Sequence, residues 1–405
     1  MNQSLTYSFD QIISREGTQS LKFDGRNQTF VTIDVMPMWV ADMDFAVPEA
    51  ITKALQNRLN HPIFGYSIAP ESLYDALINW LHIKHDWPVL REWIVLTPGV
   101  VPSLNLVVAA LTAENDGVIV QPPVYFPFFS AVTNQNRRLI ENLLLLKKND
   151  LGNLQYEIDF DQLDNCAKHA KLLLFCSPHN PVGRVWQQDE LLKLLAIAKK
   201  HDLIILADEI HADLVYKNAK HQCLSHLAMQ SELPLSSTNK HPIITAVSPS
   251  KTFNIPGLGL SALIVPNKTH RQAIESHLAI MGVSTTNPFN LVAFEAAYRE
   301  GGNWLNALMA YLQNTVDAAI AFINSYLTQI NVVHPQGTYL LWLDCRKLNL
   351  TDEALNRFFI EEAKLGLSPG AMFGNGGSGF MRMNIGTSKA NVLAALDRLK
   401  NALIV

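Results

Sequence analysis

The feature that most constrains this chain is a series of short, wholly apolar runs. Trp93-Ile94-Val95-Leu96-Thr97, Gly117 to Gln121, Lys171 to Cys176, Leu203 to Ala207, Ile243 to Val247 and Leu260 to Val265 are each too brief for a helix. They also lack the alternation of a half-exposed strand, so they read as strands buried on both faces. Helical patterns separate them. Residues 71–84 place Leu73, Leu77, Trp80 and Leu81 on one side, and Leu104 to Leu111 follows the first strand. Gln187 to Lys200 carries acids at its start and lysines at its end, as a helix dipole favours. Strands alternating with helices imply an α/β fold, with a mainly parallel sheet covered on both faces. Ligands of such sheets collect at the carboxyl ends of the strands. Val100, Tyr125, Asn180, Asp208 and Lys251 each follow one of these runs.

At 405 residues the chain exceeds one ordinary core. From about residue 286 the pattern changes to long helices, roughly 288–300 and 303–330. A strand pair that includes 338–343, a helix over 352–365, a strand over 380–385 and a last helix over 390–403 come next. The expected division is a large α/β domain over 46–285 and a smaller α+β domain from 1–45 with 286–405. The net charge of −4 is mild and no basic block occurs, which argues against nucleic acid or an anionic membrane as partner. Cys166, Cys176, Cys223 and Cys345 are scattered without metal-binding spacing, so reduced thiols and no metal are expected. Met1 to Leu5 shows no basic head of a signal peptide. The leucine run 143–146 stops at Lys147-Lys148, far short of the ~20 apolar residues of a membrane span. A soluble, cytoplasmic protein is expected. Residues 1–35 are polar and weakly patterned. Asp42 and Asp44, just before Pro48 and a helical pattern over 50–59, are expected to cap that helix.

The chemistry is expected around Ser248-Pro249-Ser250-Lys251-Thr252-Phe253-Asn254. A lysine at a strand exit among hydroxyls is a Schiff-base nucleophile if burial lowers its pKa. Pyridoxal 5′-phosphate would require an amine for its aldehyde, an acid for its pyridine nitrogen and a neutral donor for its phenolic oxygen. Its ring needs a stacking face, and its phosphate a hydroxyl-rich helix start. Lys251, Asp208, Asn180, Tyr125, and residues 99–101 with Ser248 and Ser250 supply these in turn. Taken singly, each has an ordinary reading: Asp208 a helix cap, Tyr125 a packed ring, Arg382 a surface charge, His179 and His211 structural histidines. Their occurrence together, in order, is what carries weight.

Asn180-Pro181-Val182-Gly183, Asp208-Glu209, Ser248-Pro249-Ser250-Lys251 and a C-terminal Arg382 in this sequence resemble the fold-type I pyridoxal-phosphate enzymes of the aminotransferase class I/II superfamily, over about residues 36 to 390. The resemblance implies a large domain with a mainly parallel sheet plus a smaller α+β domain. It implies Lys251 as the residue that carries the cofactor and shuttles the Cα proton. Asp208 would pair with the ring nitrogen, Asn180 would bond the phenolic oxygen, and Tyr125 would stack on the ring. Val100, Val101, Ser248, Ser250 and His211 join the cofactor site. Arg382 would clamp the substrate α-carboxylate, and Ala41 and Tyr125 would also bind substrate. Tyr66 matches a tyrosine that reaches the phosphate of the neighbouring subunit, implying a homodimer with a shared site.

Three stretches look like the bacterial cystathionine β-lyase, or C–S lyase, branch: Trp39 to Phe45, Cys176-Ser177-Pro178-His179-Asn180-Pro181, and Asp208-Glu209-Ile210-His211. One departure is Gly259, which stands where many members carry a phosphate-binding arginine. The implied activity is β-elimination on a sulfur-bearing L-amino acid, giving pyruvate, ammonia and a thiol. Two alternatives stay open: an aminotransferase using the same residues, and a pyridoxal-phosphate-binding regulatory protein acting through a protein contact.

Overall fold

The computed structural model describes residues 7–231 and 241–404; Met1 to Leu5, where a signal peptide would begin, lies outside them. Seven strands form the large sheet, in the order Ile94–Thr97, Ser261–Ile264, Ile243–Val247, Ile204–Asp208, Leu172–Cys176, Gly117–Val120 and Arg138–Glu141. Neighbours pair in parallel except Ser261–Ile264, which runs antiparallel to both strands beside it. The sheet is thus mainly parallel, with one reversed member whose first residues lie beside the others' last.

The apolar runs form strands because both sides of each are covered. Along Leu172–Cys176, Leu172, Leu174 and Cys176 face a core containing Leu104, Val107 and Val108 of the helix Val100–Leu111. Leu173 and Phe175 face the opposite core with Leu191, Leu194 and Leu195 of the helix Gln188–His201. Burying each such side chain contributes roughly 1.5–3 kcal/mol, so a one-residue slip, which exchanges the two faces, is heavily disfavoured.

A second, antiparallel sheet orders Asn331–Val333, Leu340–Asp344, Phe380–Asn384 and Ser368–Pro369. The helices Pro288–Glu300 and Gly302–Tyr326 precede it and Lys389–Ile404 follows. Met36–Pro37 pairs in parallel with Leu365–Gly366, tying the N-terminal segment to this part of the chain. A hairpin of Leu145–Lys148 and Leu154–Glu157 completes the strands.

Candidate active site

The carboxyl edge of the large sheet opens into a cavity of about 240 Å³. Asp208 closes its strand, Ser248 and Lys251 follow theirs, and Val100 and Val101 open the helix that starts just after Ile94–Thr97. Gly259 and Leu260 also line it, because the reversed strand begins where its neighbours end. Of the residues singled out from sequence, Ala41, Val100, Val101, Tyr125, Asn180, Asp208, His211, Ser248, Ser250 and Lys251 all border this one cavity.

Lys251 sits on the short helix Pro249–Thr252, and its Nζ donates to the carbonyl of Ala41 at 2.6 Å. Burial lowers its pKa to about 8; Arg382 pushes the same way, while Asp42 and Asp208 oppose. Burial also raises Asp208 to about 7, against the pull of the Ile210 N–H, which donates to its Oδ1 at 3.1 Å, and of Lys251. Amine and acid are thereby both moved towards neutrality, the condition under which either exchanges a proton readily. His211 is held neutral by burial and by Lys251 and Arg382, with its pKa lowered to about 3. The Tyr125 main-chain N–H donates to the Asn180 carbonyl at 3.0 Å, which locks these two cavity residues together.

Arg382 is not in the cavity wall but directly behind Asn180, whose Oδ1 accepts from its Nη1 at 3.1 Å. Its Nη2 donates to the Trp39 carbonyl at 2.9 Å and to Ser368 Oγ at 3.2 Å. Its Nε and His211 Nδ1 are buried without a hydrogen-bond partner among the described residues. Ser248 caps the lysine helix and donates its hydroxyl to the Leu260 carbonyl at 2.9 Å. Gly259 adopts a left-handed backbone (φ +39°), where an added Cβ would come within 3.3 Å of the Pro98 carbonyl. A side chain there is therefore strained, which agrees with the departure noted from sequence. The cavity suits an aromatic aldehyde phosphate: an amine of lowered pKa, a buried acid, a ring at Tyr125, and the N-terminus of Val100–Leu111 for an anion.

Tyr66 is fully exposed on the loop after Glu49–Leu59 and does not reach this chain's cavity. Asp42 and Asp44 do not cap that helix: Pro48 occupies the N-cap, with no side-chain cap. They pair instead with Arg15 and Lys22, whose cationic heads claim the carboxylates first. Sequence reasoning also passed over Cys176, Ile210 and Leu260 in the wall, and Tyr339, whose hydroxyl donates to the Ala41 carbonyl at 2.9 Å. Only Tyr339 carried a signal, as an aromatic with a polar tip at the mouth of an apolar strand. Next to Asp208, buried Glu209 accepts from the Leu224 N–H at 2.9 Å, pairs with His221 at 3.1 Å and lies close to Cys223.

The fold and this site define a class, and the chain belongs to the aminotransferase class I and II family, which it matches over residues 33–399. Among its relatives, cystathionine β-lyase PatB of Bacillus subtilis is 40% identical over 398 residues, spanning 98% of this chain and 100% of that protein. Cystalysin from Treponema denticola, a structure containing pyridoxal 5′-phosphate, superposes with a TM-score of 0.92 at 35% identity, covering 99% of each chain. The pyridoxal-phosphate-bound C–S lyase of Staphylococcus hominis gives 0.89 at 30% identity, again over 99% of each.

Proposed function

We propose that this chain is a pyridoxal 5′-phosphate-dependent carbon–sulfur lyase, which eliminates the sulfur substituent from Cβ of an L-amino acid such as cystathionine. The observation that carries the chemistry is the buried Lys251 amine, its pKa lowered to about 8, in one cavity with Asp208 and Asn180. The choice of lyase over amine transfer is supported by identity to C–S lyases along the whole chain.

When bound, the cofactor supplies an electron sink for the charge left at Cα. Lys251 would remove the Cα proton, since burial lowers its pKa to about 8 and so raises the free-amine fraction near neutral pH well above that of an ordinary lysine. Asp208 would face the ring nitrogen, where a cationic partner would offset the burial that raises its carboxyl to about 7. Asn180 keeps its amide N–H groups for the phenolic oxygen because its Oδ1 is committed to Arg382. Arg382 receives the substrate carboxylate by exchanging its present carbonyl and hydroxyl acceptors for a bidentate pair. Val100, Val101 and Ser250 would take the phosphate, joined by Ser248 if its hydroxyl exchanges the Leu260 carbonyl for it, and Tyr125, Ala41 and His211 would complete the walls. The products are a thiol, pyruvate and ammonia.

The working form is a homodimer, with Tyr66 reaching the partner's phosphate. Ile63, Phe64, Tyr66 and Ile68 form a short exposed apolar run, and such a run favours being covered. The chain divides into the large domain 46–285 and the small domain of 1–45 with 286–405. The protein acts in cytoplasmic amino-acid metabolism; among the described residues, no helix is long and apolar enough to cross a membrane.

Incubating the purified, cofactor-loaded protein with L-cystathionine should release pyruvate and thiol with no added keto acid. Turnover that requires a keto-acid acceptor would make the protein an aminotransferase.

A further inference from the structure

We propose that Arg15 and Lys22 are positioning residues for the active-site lysine, acting through the segment 39–44. The inference rests on the assignment of Lys251 as the cofactor-bearing residue.

The segment has two working sides. Its main chain serves the site: the Ala41 carbonyl accepts from Lys251 and Tyr339, and the Trp39 carbonyl accepts from Arg382. It has little sheet of its own: among the described residues its nearest ladder is the two-residue pairing of Met36–Pro37, and the small sheet reaches it through the Asn384 amide, which donates to the Val40 and Asp42 carbonyls. Its other side carries Asp42 and Asp44, and these are held by charge. Arg15 grips Asp42 with both terminal nitrogens, at 2.9 and 2.7 Å, and reaches Asp44 at 2.9 Å. Lys22, fully buried, bonds both oxygens of Asp44 at 3.0 Å and stands 4.0 Å from Asp42. The lysine's own carbonyl accepts from the Trp39 indole at 3.1 Å. Two carboxylates thus meet two cations in a compact, mostly water-excluded cluster, where breaking one pair leaves an uncompensated charge.

The cluster also sets the charge that Lys251 experiences. The charged groups facing that amine are Asp42, Asp208 and Arg382, with Tyr125, Tyr339 and His211 as further titratable neighbours. Asp42 favours the protonated amine. Arg15 spends much of that negative charge on itself by a bidentate bond. Removing Arg15 leaves the Asp42 charge less compensated, so the protonated nitrogen at Lys251 gains and its titration moves to higher pH. Removing the charge of Asp42 moves it to lower pH. A cluster whose charges did not reach the amine would produce neither shift.

The test is a pH titration of the visible absorbance of the cofactor-loaded protein, without substrate. Arg15→Met should raise the midpoint, and the isosteric Asp42→Asn should lower it, each by about half a pH unit or more. Arg15→Lys, which keeps the charge, should return the midpoint close to that of the unaltered protein. Should Arg15→Met fail to fold, the opposite shift in Asp42→Asn still decides. Midpoints that do not move in Asp42→Asn, even with a lowered melting temperature, would overturn the proposal and leave the cluster a structural brace. This readout needs only a cofactor bound at Lys251. A lyase assay that yields no pyruvate would therefore sink the functional reading without touching this one, and an unmoved midpoint would do the reverse.

Discussion

The carboxyl edge of the large sheet and the N-terminal segment over 7–45 both contribute to the cavity, but they are held by different forces. Asp208 ends a strand paired on both sides, with Cys176 and Ala246 as its register partners. Its position is set by backbone ladders and two apolar cores, and burial is what tunes its acidity. Ala41 lies on a segment with almost no ladder, fixed by the Arg15–Asp42–Lys22–Asp44 cluster, by Asn384 of the small sheet, whose amide donates to the Val40 and Asp42 carbonyls, and by Asn254, whose amide bonds the Met43 and Phe45 carbonyls at 2.9 Å each. The reactive groups sit on the rigid part. The carbonyls that aim them sit on the part where buried charge pairs replace a ladder, and pairs so excluded from water are screened little by salt.

Perturbing the rigid side should have the largest consequences. Lys251→Ala removes the amine itself, and the visible absorbance should vanish with at least about a 10³-fold loss of elimination activity. An unchanged visible band would reject the lysine assignment. Arg382→Leu comes next: losing a bidentate carboxylate clamp should lower kcat/KM about 10²–10³-fold. Because Arg382 also holds the Trp39 carbonyl and Asn180, both KM and kcat should change. An effect on KM alone would show that the two regions are not coupled through it.

Asp208→Asn separates stability from function. In the cofactor-free fold the pKa of Asp208 is raised to about 7 from 3.8. The folded state therefore binds a proton that the unfolded chain has lost across that interval. The stabilising contribution is full below pH 3.8 and is lost as pH rises through about 7. The cofactor-free Asp208→Asn protein should accordingly resist urea better than the unaltered one at pH 8, by a few kcal/mol at about 1.4 kcal/mol per pH unit of displacement. The gain should disappear near pH 4, and activity of the loaded protein should fall by about 10²-fold or more. A destabilised variant at pH 8 would contradict the buried, unpaired state of this acid.

Tyr339→Phe should be the mildest change. It deletes one donor to the Ala41 carbonyl while Lys251 still donates there, so about 1 kcal/mol of stability is expected to go, measurable by thermal melting. A larger loss would mean that the segment leans on the small sheet more than on its charge cluster.

The same contrast explains what could be read from sequence. The central strands were legible because a doubly buried strand must be apolar throughout. The site residues were legible because the sheet edge gathers the residues just after each strand. Direction was not legible: Leu260 to Val265 has the same composition whichever way it runs, so the entry of Leu260 into the wall was missed. The helix Lys268–Met281 buries only Ile274 and so has a faint apolar stripe. The hairpin Leu145–Lys148 with Leu154–Glu157 is half-exposed and lacks a strong period. The segment over 7–45 was the least legible. Arg15 and Asp42 are 27 residues apart, and Trp39 and Arg382 are 343 apart. Nothing local marks either pairing, so in sequence two carboxylates before a helix look like its caps.

The most direct test of the account is the product balance from L-cystathionine and the cofactor-loaded protein, with no keto acid present. Equal amounts of pyruvate and thiol, accumulating over many turnovers and absent in Lys251→Ala, are the predicted result. A single turnover that stalls without pyruvate, and resumes only when a keto acid is added, would contradict it.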